Sequence, residues 1–193
     1  MAISNIEIKK IISKAYPYLS NKEIELFMSI SKYSIIKNKK LILKSGRLDK
    51  YVLFILKGNA RIYSVNEAGI ELVKHLRSEG TMCGDAKVFT EEFQISNIEA
   101  IQETHVLKFS TDDLEKLGFK NPKMMVFYLN LLKEIILIFS YRIDSFVTMT
   151  PKERYLDLVK WQPSYLESTF DKHIASFLGV TPLTLHRIKK SMQ

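Results

Sequence analysis

Residues 174–190, IASFLGVTPLTLHRIKK, hold a glycine where one helix would end and a proline where the next would begin. Gly179 is suited to the left-handed conformation that ends many helices, and Pro182 is suited to a first helical turn. Thr181, directly before Pro182, is placed to cap the second helix. A short helix, a turn of three or four residues and a second short helix form a helix-turn-helix. Six small or apolar residues are spaced to close its core: Ile174, Ala175, Leu178, Val180, Leu185 and Ile188.

The exposed face of the second helix is predicted to be basic and rich in hydrogen-bonding groups. It carries Thr184, His186, Arg187, Lys189 and Lys190, and no acidic residue occurs from residue 172 to residue 193. Such a face fits the DNA major groove and its flanking phosphates. A helical hairpin with a purely structural role is the alternative interpretation.

Composition agrees with an anionic partner and a reducing compartment. The 193 residues include 29 Lys+Arg and 21 Asp+Glu, for a formal charge of +8, and this balance favours attraction to anions such as nucleic acid. Cys83 is the single cysteine, so no disulfide framework exists. The N-terminus lacks a signal-peptide core, and the longest apolar stretch, EIILIFSYRI, is too short and too charged to span a bilayer. We therefore expect a cytoplasmic protein with no membrane contact.

The residue pattern divides the rest of the chain into a helical start, a strand-rich middle and a long helix. Residues 1–35 are predicted to be helical, with Ser20 and Glu23 at the spacing of a capping box. Residues 36–110 contain short β-type runs separated by glycine turns, which predicts a compact antiparallel sheet or barrel closed by residues 98–110. Pro122 then starts a helix that is expected to run to about residue 147.

The long helix carries two apolar seams. One contains Met124, Phe127, Leu131, Ile135 and Ile138. The other contains Met125, Leu129, Leu132, Ile136, Phe139, Ile143 and Phe146. A helix on the surface of a single domain needs one apolar stripe. The second seam therefore predicts a parallel coiled-coil homodimer, although a helix buried within its own domain is the alternative.

Two helices are expected between the long helix and the turn at Gly179, and the second of them is the first helix of the helix-turn-helix. The first runs from Pro151 to about Trp161, is capped by Thr150 with Glu153, and is ended by Pro163. The second starts with Asp171 as its N-cap.

Three stretches together resemble the Crp/Fnr superfamily of bacterial transcription regulators, especially the short members common in Bacteroidetes. YVLFILKGNARIY is similar to a hairpin of the family's cyclic-nucleotide-binding barrel, EGTMCGDAKVF to the start of its phosphate-binding cassette, and residues 151–190 to its DNA-binding domain. The resemblance implies an α+β fold with three parts. These are an N-terminal antiparallel β-roll sensor over residues 1–120 with flanking helices, a dimerisation helix over 121–148, and a helix-turn-helix domain over 149–193.

The cassette departs from the family pattern where the resemblance implies an effector pocket. Its candidate residues here are Gly84, Asp85, Gln94, Ile95 and Ser96. The family's phosphate-binding arginine falls on Gln94 or Ile95, and neither carries a positive charge. Losing such a buried charge-assisted contact costs about 2–5 kcal/mol. We therefore expect cAMP not to be the effector, predict no cofactor and leave the effector unknown; Lys87 is the nearest replacement cation in sequence.

The recognition helix also departs from the pattern, because Pro182 and Leu183 replace the Arg-Glu pair of well-known members. Arg187 matches the family's later arginine and is suited to bind guanine bidentately. The predicted DNA-binding residues are Lys172, Thr181, Pro182, Leu183, Thr184, His186, Arg187, Lys189 and Lys190. The implied partners are double-stranded DNA and a second copy of the chain, with RNA polymerase as a further candidate.

Other classes of function fit the sequence less well. A metalloenzyme with a small barrel needs clustered histidines, whereas His75, His105, His173 and His186 are scattered. Cys83 has no histidine near it in sequence, so a buried thiol is expected rather than a nucleophile. We therefore expect that the protein is not an enzyme. A module of the same fold that binds a ligand or protein but no longer binds DNA specifically remains the second hypothesis.

Overall fold

The computed structural model describes residues 2–48, 50–85, 87, 90 and 92–192. The fold is α+β with antiparallel sheets, as predicted. The helices are α1 (Asn5–Ala15), α2 (Asn21–Ser29), α3 (Thr111–Lys120), α4 (Pro122–Thr148), α5 (Pro151–Trp161), α6 (Pro163–Ser168), α7 (Asp171–Leu178) and α8 (Pro182–Lys190). The strands are β1 (Ser31–Ile36), β2 (Leu41–Leu43), β3 (Tyr51–Lys57), β4 (Asn59–Val65), β5 (Glu71–Ser78), β6 (Met82–Cys83), β7 (Asn97–Ala100) and β8 (Thr104–Ser110).

Two four-stranded sheets face each other and enclose the barrel core. Their strand orders are β1-β8-β3-β6 and β2-β7-β4-β5, and the strand pairs are antiparallel. The core between the sheets is aliphatic and includes Leu53, Ile55, Ile62, Ile98 and Val106. Because side chains alternate along a strand, the neighbouring residues of β3 face the opposite way.

Helices cover the outer face of the first sheet. Val52, Phe54 and Leu56 of β3 pack there with residues of α1, α2 and the first half of α4, including Phe27 and Phe127. Strand β3 is thus buried on both faces, which explains its unbroken apolar run.

The outer face of the second sheet is covered by the C-terminal helices. Tyr63, Val73, Leu76 and Ile101 pack against α5–α8, whose own buried residues include Tyr165. All six residues expected to close the helical hairpin lie in this cluster, with Val180 partly buried. The barrel and the C-terminal helices therefore share one apolar cluster.

Local signals in the sequence predicted several helix ends correctly. Ser20 with Glu23 and Thr150 with Glu153 form capping boxes. The long helix runs to Thr148, one residue beyond its expected end, and the helix starting at Pro151 ends at Trp161 as expected. Gly179 has φ +69° and caps α7 in the left-handed conformation.

Other local predictions were wrong. Residues 31–35 are strand β1 rather than helix, because they pair with β8 far along the chain. The stretch 98–110 is divided between β7 and β8, which lie in different sheets. Helix α3 was not predicted. Pro163 starts the short α6, and the N-cap of α7 is Phe170, with Asp171 in the first turn.

Candidate DNA interface, effector pocket and dimer face

Helix α8 is held by its apolar side and leaves its other faces in solvent. The Thr181 hydroxyl accepts from the Thr184 N–H at 3.1 Å, and Pro182 is the first helical residue. Leu185 and Ile188 are buried against α7 and its neighbours. This packing fixes which side chains of α8 point outward.

The predicted DNA-binding residues lie on α8, its capping turn and the start of α7. Six of those on the turn and α8 are exposed, and Thr184 and Lys189 are half-buried; the exposed six are Thr181, Pro182, Leu183, His186, Arg187 and Lys190. Lys172 is exposed at the start of α7. Lys189 binds Asp171 at 2.5 Å, so one of the predicted cations is paired with the carboxylate just before the acid-free stretch.

Helix α7 is joined to the second sheet by polar contacts that the sequence analysis missed. The Ser176 hydroxyl accepts from the Val73 N–H at 2.9 Å and donates to the Glu71 carbonyl at 3.2 Å. Asn59 Nδ2 donates to the Ser168 hydroxyl of α6 at 2.7 Å. These bonds link strands β4 and β5 directly to the C-terminal helices.

Arg61 is the buried centre of a polar cluster at the same boundary. Its guanidinium, 3% exposed, contacts Glu71 at 2.7 Å and Glu99 at 3.1 Å. Arg61 Nη1 also lies 3.0 Å from Nδ1 of His173 in α7. Because a guanidinium only donates, Nδ1 must accept, which requires a neutral imidazole.

The electrostatics of this cluster agree with a neutral imidazole. Burial and the positive charge of Arg61 lower the pKa of His173. The hydrogen bond from Arg61 lowers the pKa of Glu71. No motif marked Arg61, because its partners are distant in sequence or lie on other strands.

Of the predicted effector-pocket residues, Ser96 contacts the buried carboxylate of Asp85. Its two oxygens accept from the backbone N–H of Lys87 at 2.9 Å and of Ser96 at 2.8 Å. Gln94 is buried, whereas Ile95 is 58% exposed, so the two positions aligned with the family's arginine face different surroundings. Gly84 packs near Val52.

The cation beside Ser96 is Lys74, not Lys87. Lys74 Nζ donates to the Ser96 hydroxyl at 3.0 Å. Lys87 instead pairs with Glu92. That Lys87 is the replacement cation stays a prediction, and Lys74 of strand β5 is a second candidate that no pattern in the sequence indicated.

The two seams of α4 differ in burial. Met124, Phe127 and Leu131 of the first seam are buried against the barrel, and Ile135 and Ile138 are half-buried. The second seam is exposed at Leu129, Ile136, Phe139, Ile143 and Phe146 and half-buried at Met125 and Leu132. In the isolated chain Leu129, Ile136 and Ile143 of this seam are open to solvent, whereas the rings of Phe139 and Phe146 also contact residues of the same chain.

Helix α4 is also long and apolar enough to cross a membrane, by length and composition alone. It has 27 residues and a mean hydropathy of 1.6 over its most apolar window, of which 17% is buried. The apolar stretch that was expected to be too short has only ten residues, whereas the whole of α4 has 27. Core helices of soluble proteins pass the same test, so the exposed seam is the more informative feature.

Cys83 is buried in the barrel core, and burial raises the pKa of its thiol to about 12. A thiol with such a pKa is neutral near pH 7 and therefore a poor nucleophile.

Comparison with known proteins agrees with this architecture. Residues 35–121 match the family model of the cyclic nucleotide-binding domain. No match is found among curated protein sequences. Residues 35–121 are thus similar to the cyclic nucleotide-binding domain, and a long helix follows them and leads to a helical C-terminal unit.

Solved structures extend the likeness to the whole chain. The c-di-GMP responsive global regulator CLP of Xanthomonas campestris is 15% identical, with a TM-score of 0.70, over 90% of this chain and 92% of that one. FixK2 of Bradyrhizobium japonicum is 14% identical, with a TM-score of 0.70, over 84% of both chains. The Thermus thermophilus catabolite activator protein is 17% identical, with a TM-score of 0.58, over 92% of this chain and 85% of that one. The predicted resemblance is confirmed at the level of fold, which is that of the Crp/Fnr regulators, whereas the Bacteroidetes type stays a prediction.

Proposed function

We propose that the protein is a dimeric, sequence-specific DNA-binding transcription regulator of the Crp/Fnr type. Residues 1–120 are its sensor domain, residues 121–148 its dimerisation helix and residues 149–193 its helix-turn-helix DNA-binding domain. It acts in the cytoplasm on double-stranded DNA, with RNA polymerase as a candidate partner, and it is not an enzyme. The sensor does not use cAMP as its effector. The fold and the family match of the sensor region support this proposal.

The observation that carries the proposal is the outward, acid-free basic surface of α8. Arg187 and Lys190 are exposed on it, and the capping turn fixes its orientation. Arg187, in the middle of the helix, is placed to read a guanine edge through two hydrogen bonds. Lys172, Thr184, Lys189 and Lys190 contact phosphates, which position the helix without reading sequence. Lys189 must leave Asp171 to do so, and an exposed pair of this kind is worth about 0–1 kcal/mol.

Selection from random double-stranded DNA tests DNA recognition. We expect enrichment of an inverted repeat whose half-sites lie about one helical turn apart, since a two-fold dimer presents two copies of α8. Binding of the enriched site should weaken steeply with salt. Enrichment of no sequence, together with no salt-dependent gel shift, would contradict the proposal and favour a module of this fold that has lost specific DNA binding.

The open seam of α4 supports the dimer. Ile136 is 65% exposed and Ile143 is 64% exposed, and a second copy packed in parallel would cover both. We expect Ile136→Glu combined with Phe139→Glu to sediment as a monomer. Val126→Glu is the matched control, because Val126 is 52% exposed on the same helix but lies outside the seam. A monomeric wild-type protein at micromolar concentration, or an equally monomeric control, would contradict the assignment.

A further inference from the structure

A large cleft lies between the long helix and the C-terminal helices, and none of the five effector-pocket candidates lines it. It has a volume of about 880 Å³ and is bounded by β5, α4 and α5–α7. Sites for small molecules typically measure about 300–1,000 Å³. The cleft is therefore of a size that suits a small organic ligand.

The charge lining the cleft is predominantly positive. Its basic side chains are Arg77, Lys133, Arg142 and Arg154, and its acidic ones are Glu134 and Asp157. Asp157 already accepts from the Tyr141 hydroxyl, and burial raises the pKa of Glu134. Within the described residues, no carboxylate oxygen lies within 4.0 Å of the three guanidinium groups. The cleft thus holds cations that the protein itself does not neutralise by contact.

Two of these cations lie on one aromatic ring. The guanidinium carbons of Arg142 and Arg154 are 4.3 Å and 4.6 Å from the ring centre of Phe146. Burial and repulsion by Arg154 lower the pKa of Arg142 to about 10. An anion between two like charges would relieve this repulsion, and guanidinium groups match carboxylates and phosphates well.

Backbone carbonyls hold this arginine pair in place. Arg142 donates to the Phe177 carbonyl, and Arg154 donates to the Leu178 carbonyl at 3.0 Å and to the Met149 carbonyl at 2.7 Å. These three bonds leave other N–H groups of both guanidiniums for a ligand. An anion bound there would connect α4 with α5 and α7.

The rest of the cleft is mostly apolar, and two large side chains at its edge are open to solvent. Leu137 of α4 and Trp161 of α5 are each 68% exposed. Leu158 and Tyr165 lie deeper and are buried. An apolar ligand body would cover the exposed pair while its charged head reached the arginines.

We propose that this cleft binds an amphipathic organic anion, with a carboxylate or phosphate head on Arg142 and Arg154 and an apolar body along Leu137 and Trp161. As an effector site the cleft depends on the proposed function, because occupancy would set the angle between the long helix and the DNA-binding unit. As a ligand site it does not depend on DNA binding.

Dimerisation through the seam leaves the Leu137 side of the cleft open. Leu137 and Tyr141 are each two residues from Phe139 of the seam, which is about half a turn at 3.6 residues per turn. The seam and the cleft meet only towards the end of α4, where the ring of Phe146 contacts Arg142 and Arg154.

Trp161 provides the measurement, because it is the single tryptophan of the chain. The full-length protein is titrated with decanoate and with decyl phosphate below their micelle concentrations, and Trp161 emission is followed. We expect a saturable blue shift, with binding at least ten-fold tighter than for decan-1-ol and decylammonium. The two anionic probes distinguish a carboxylate from a phosphate head. Decan-1-ol or decylammonium binding as tightly as both anions would overturn the proposal.

Two variants test the location. Arg142→Gln should weaken binding of the anions at least ten-fold and leave decan-1-ol unchanged. Should that variant fold poorly, Leu137→Glu alters an exposed residue and should also weaken the anions, with Val126→Glu as the matched control outside the cleft. Equal anion binding by Leu137→Glu and its control would contradict the site. A blue shift that depends on protein concentration and not on ligand concentration would also contradict it, because that result indicates a second copy of the chain in the cleft. Because the titration contains no DNA, its outcome is independent of the DNA selection experiment.

Discussion

Gly179 at the end of α7 contacts the long helix. Replacing it with alanine should lower the free energy of unfolding by more than the same change at an ordinary turn glycine. Its φ of +69° lies in the left-handed region, where a residue with a side chain is disfavoured by about 1–2 kcal/mol. A Cβ at this position would also lie 2.5 Å from Cε1 of Phe146, so the ring must move. That movement would separate Phe146 from Arg142 and Arg154, and each exposed cation–π contact is worth about 0.5–1 kcal/mol.

The expected loss for Gly179→Ala is thus about 2–4 kcal/mol of the free energy of unfolding. Gly46 is the matched control, because its φ is +79° and a Cβ there would meet nothing within 4 Å. Gly46→Ala should lose only the backbone part, about 1–2 kcal/mol. Urea unfolding at one fixed protomer concentration measures both, since the stability of a dimer depends on concentration.

A double-mutant cycle separates the ring from the backbone. In a Phe146→Ala background the ring contact is absent, so Gly179→Ala should cost about as much as Gly46→Ala does in the wild type. If Gly179→Ala and Gly46→Ala lose the same free energy in the wild-type background, or if the Phe146→Ala background leaves the cost unchanged, the ring contact does not act as described.

Three further predictions concern DNA, the effector and pH. Arg187→Ala should lose about 1–3 kcal/mol of DNA-binding free energy and relax the preference at one base pair of each half-site. Lys190→Ala should weaken binding to all sequences alike and lower the slope of log affinity against log salt concentration by about one. An unchanged selected sequence for Arg187→Ala would contradict its role. Calorimetry should show no micromolar cAMP binding, and tight binding that is abolished in Lys74→Gln would identify Lys74 as a replacement phosphate cation and overturn the prediction. Burial and nearby cations lower the pKa of His75 from 6.5 to about 3, so the unfolded chain takes up a proton first as pH falls through this window. As pH falls from 6 to 4, the free energy of unfolding of the wild type, measured with urea, should decrease by up to about 1.4 kcal/mol per pH unit more than that of His75→Gln. If the two proteins show the same dependence on pH, His75 is not held neutral in the folded state.

Local chemistry explains which parts of the fold the sequence could predict. The capping boxes at Ser20 and Thr150 and the left-handed Gly179 depend on residues a few positions apart, so their patterns are complete in a short window. Strand β1 was predicted wrongly, because its pairing partner β8 is distant and the preceding residues are helical.

The candidate sites show the same limit. The outer surface of α8 follows from helical spacing, which correctly placed His186, Arg187 and Lys190 in solvent, whereas Thr184 and Lys189 are half-buried. The contact of Lys74 with Ser96 depends on how two strands pack together, and the cleft exists only after α5–α7 lie against α4. Neither arrangement has a counterpart in any single segment of the sequence.

The cluster around Arg61 has a consequence for how sequences of this fold diverge. Removing one partner of a buried ion pair typically costs about 3–5 kcal/mol, whereas replacing a whole buried group by apolar residues is often tolerated. Glu71, Glu99 and His173 each contact or face this one guanidinium from a different element. Single changes among the four residues should therefore be destabilising, and chains that lose the arginine should have lost its partners with it. In an alignment of close relatives these positions should covary as a group, linking strands β4, β5 and β7 of the barrel to α7, the first helix of the C-terminal hairpin.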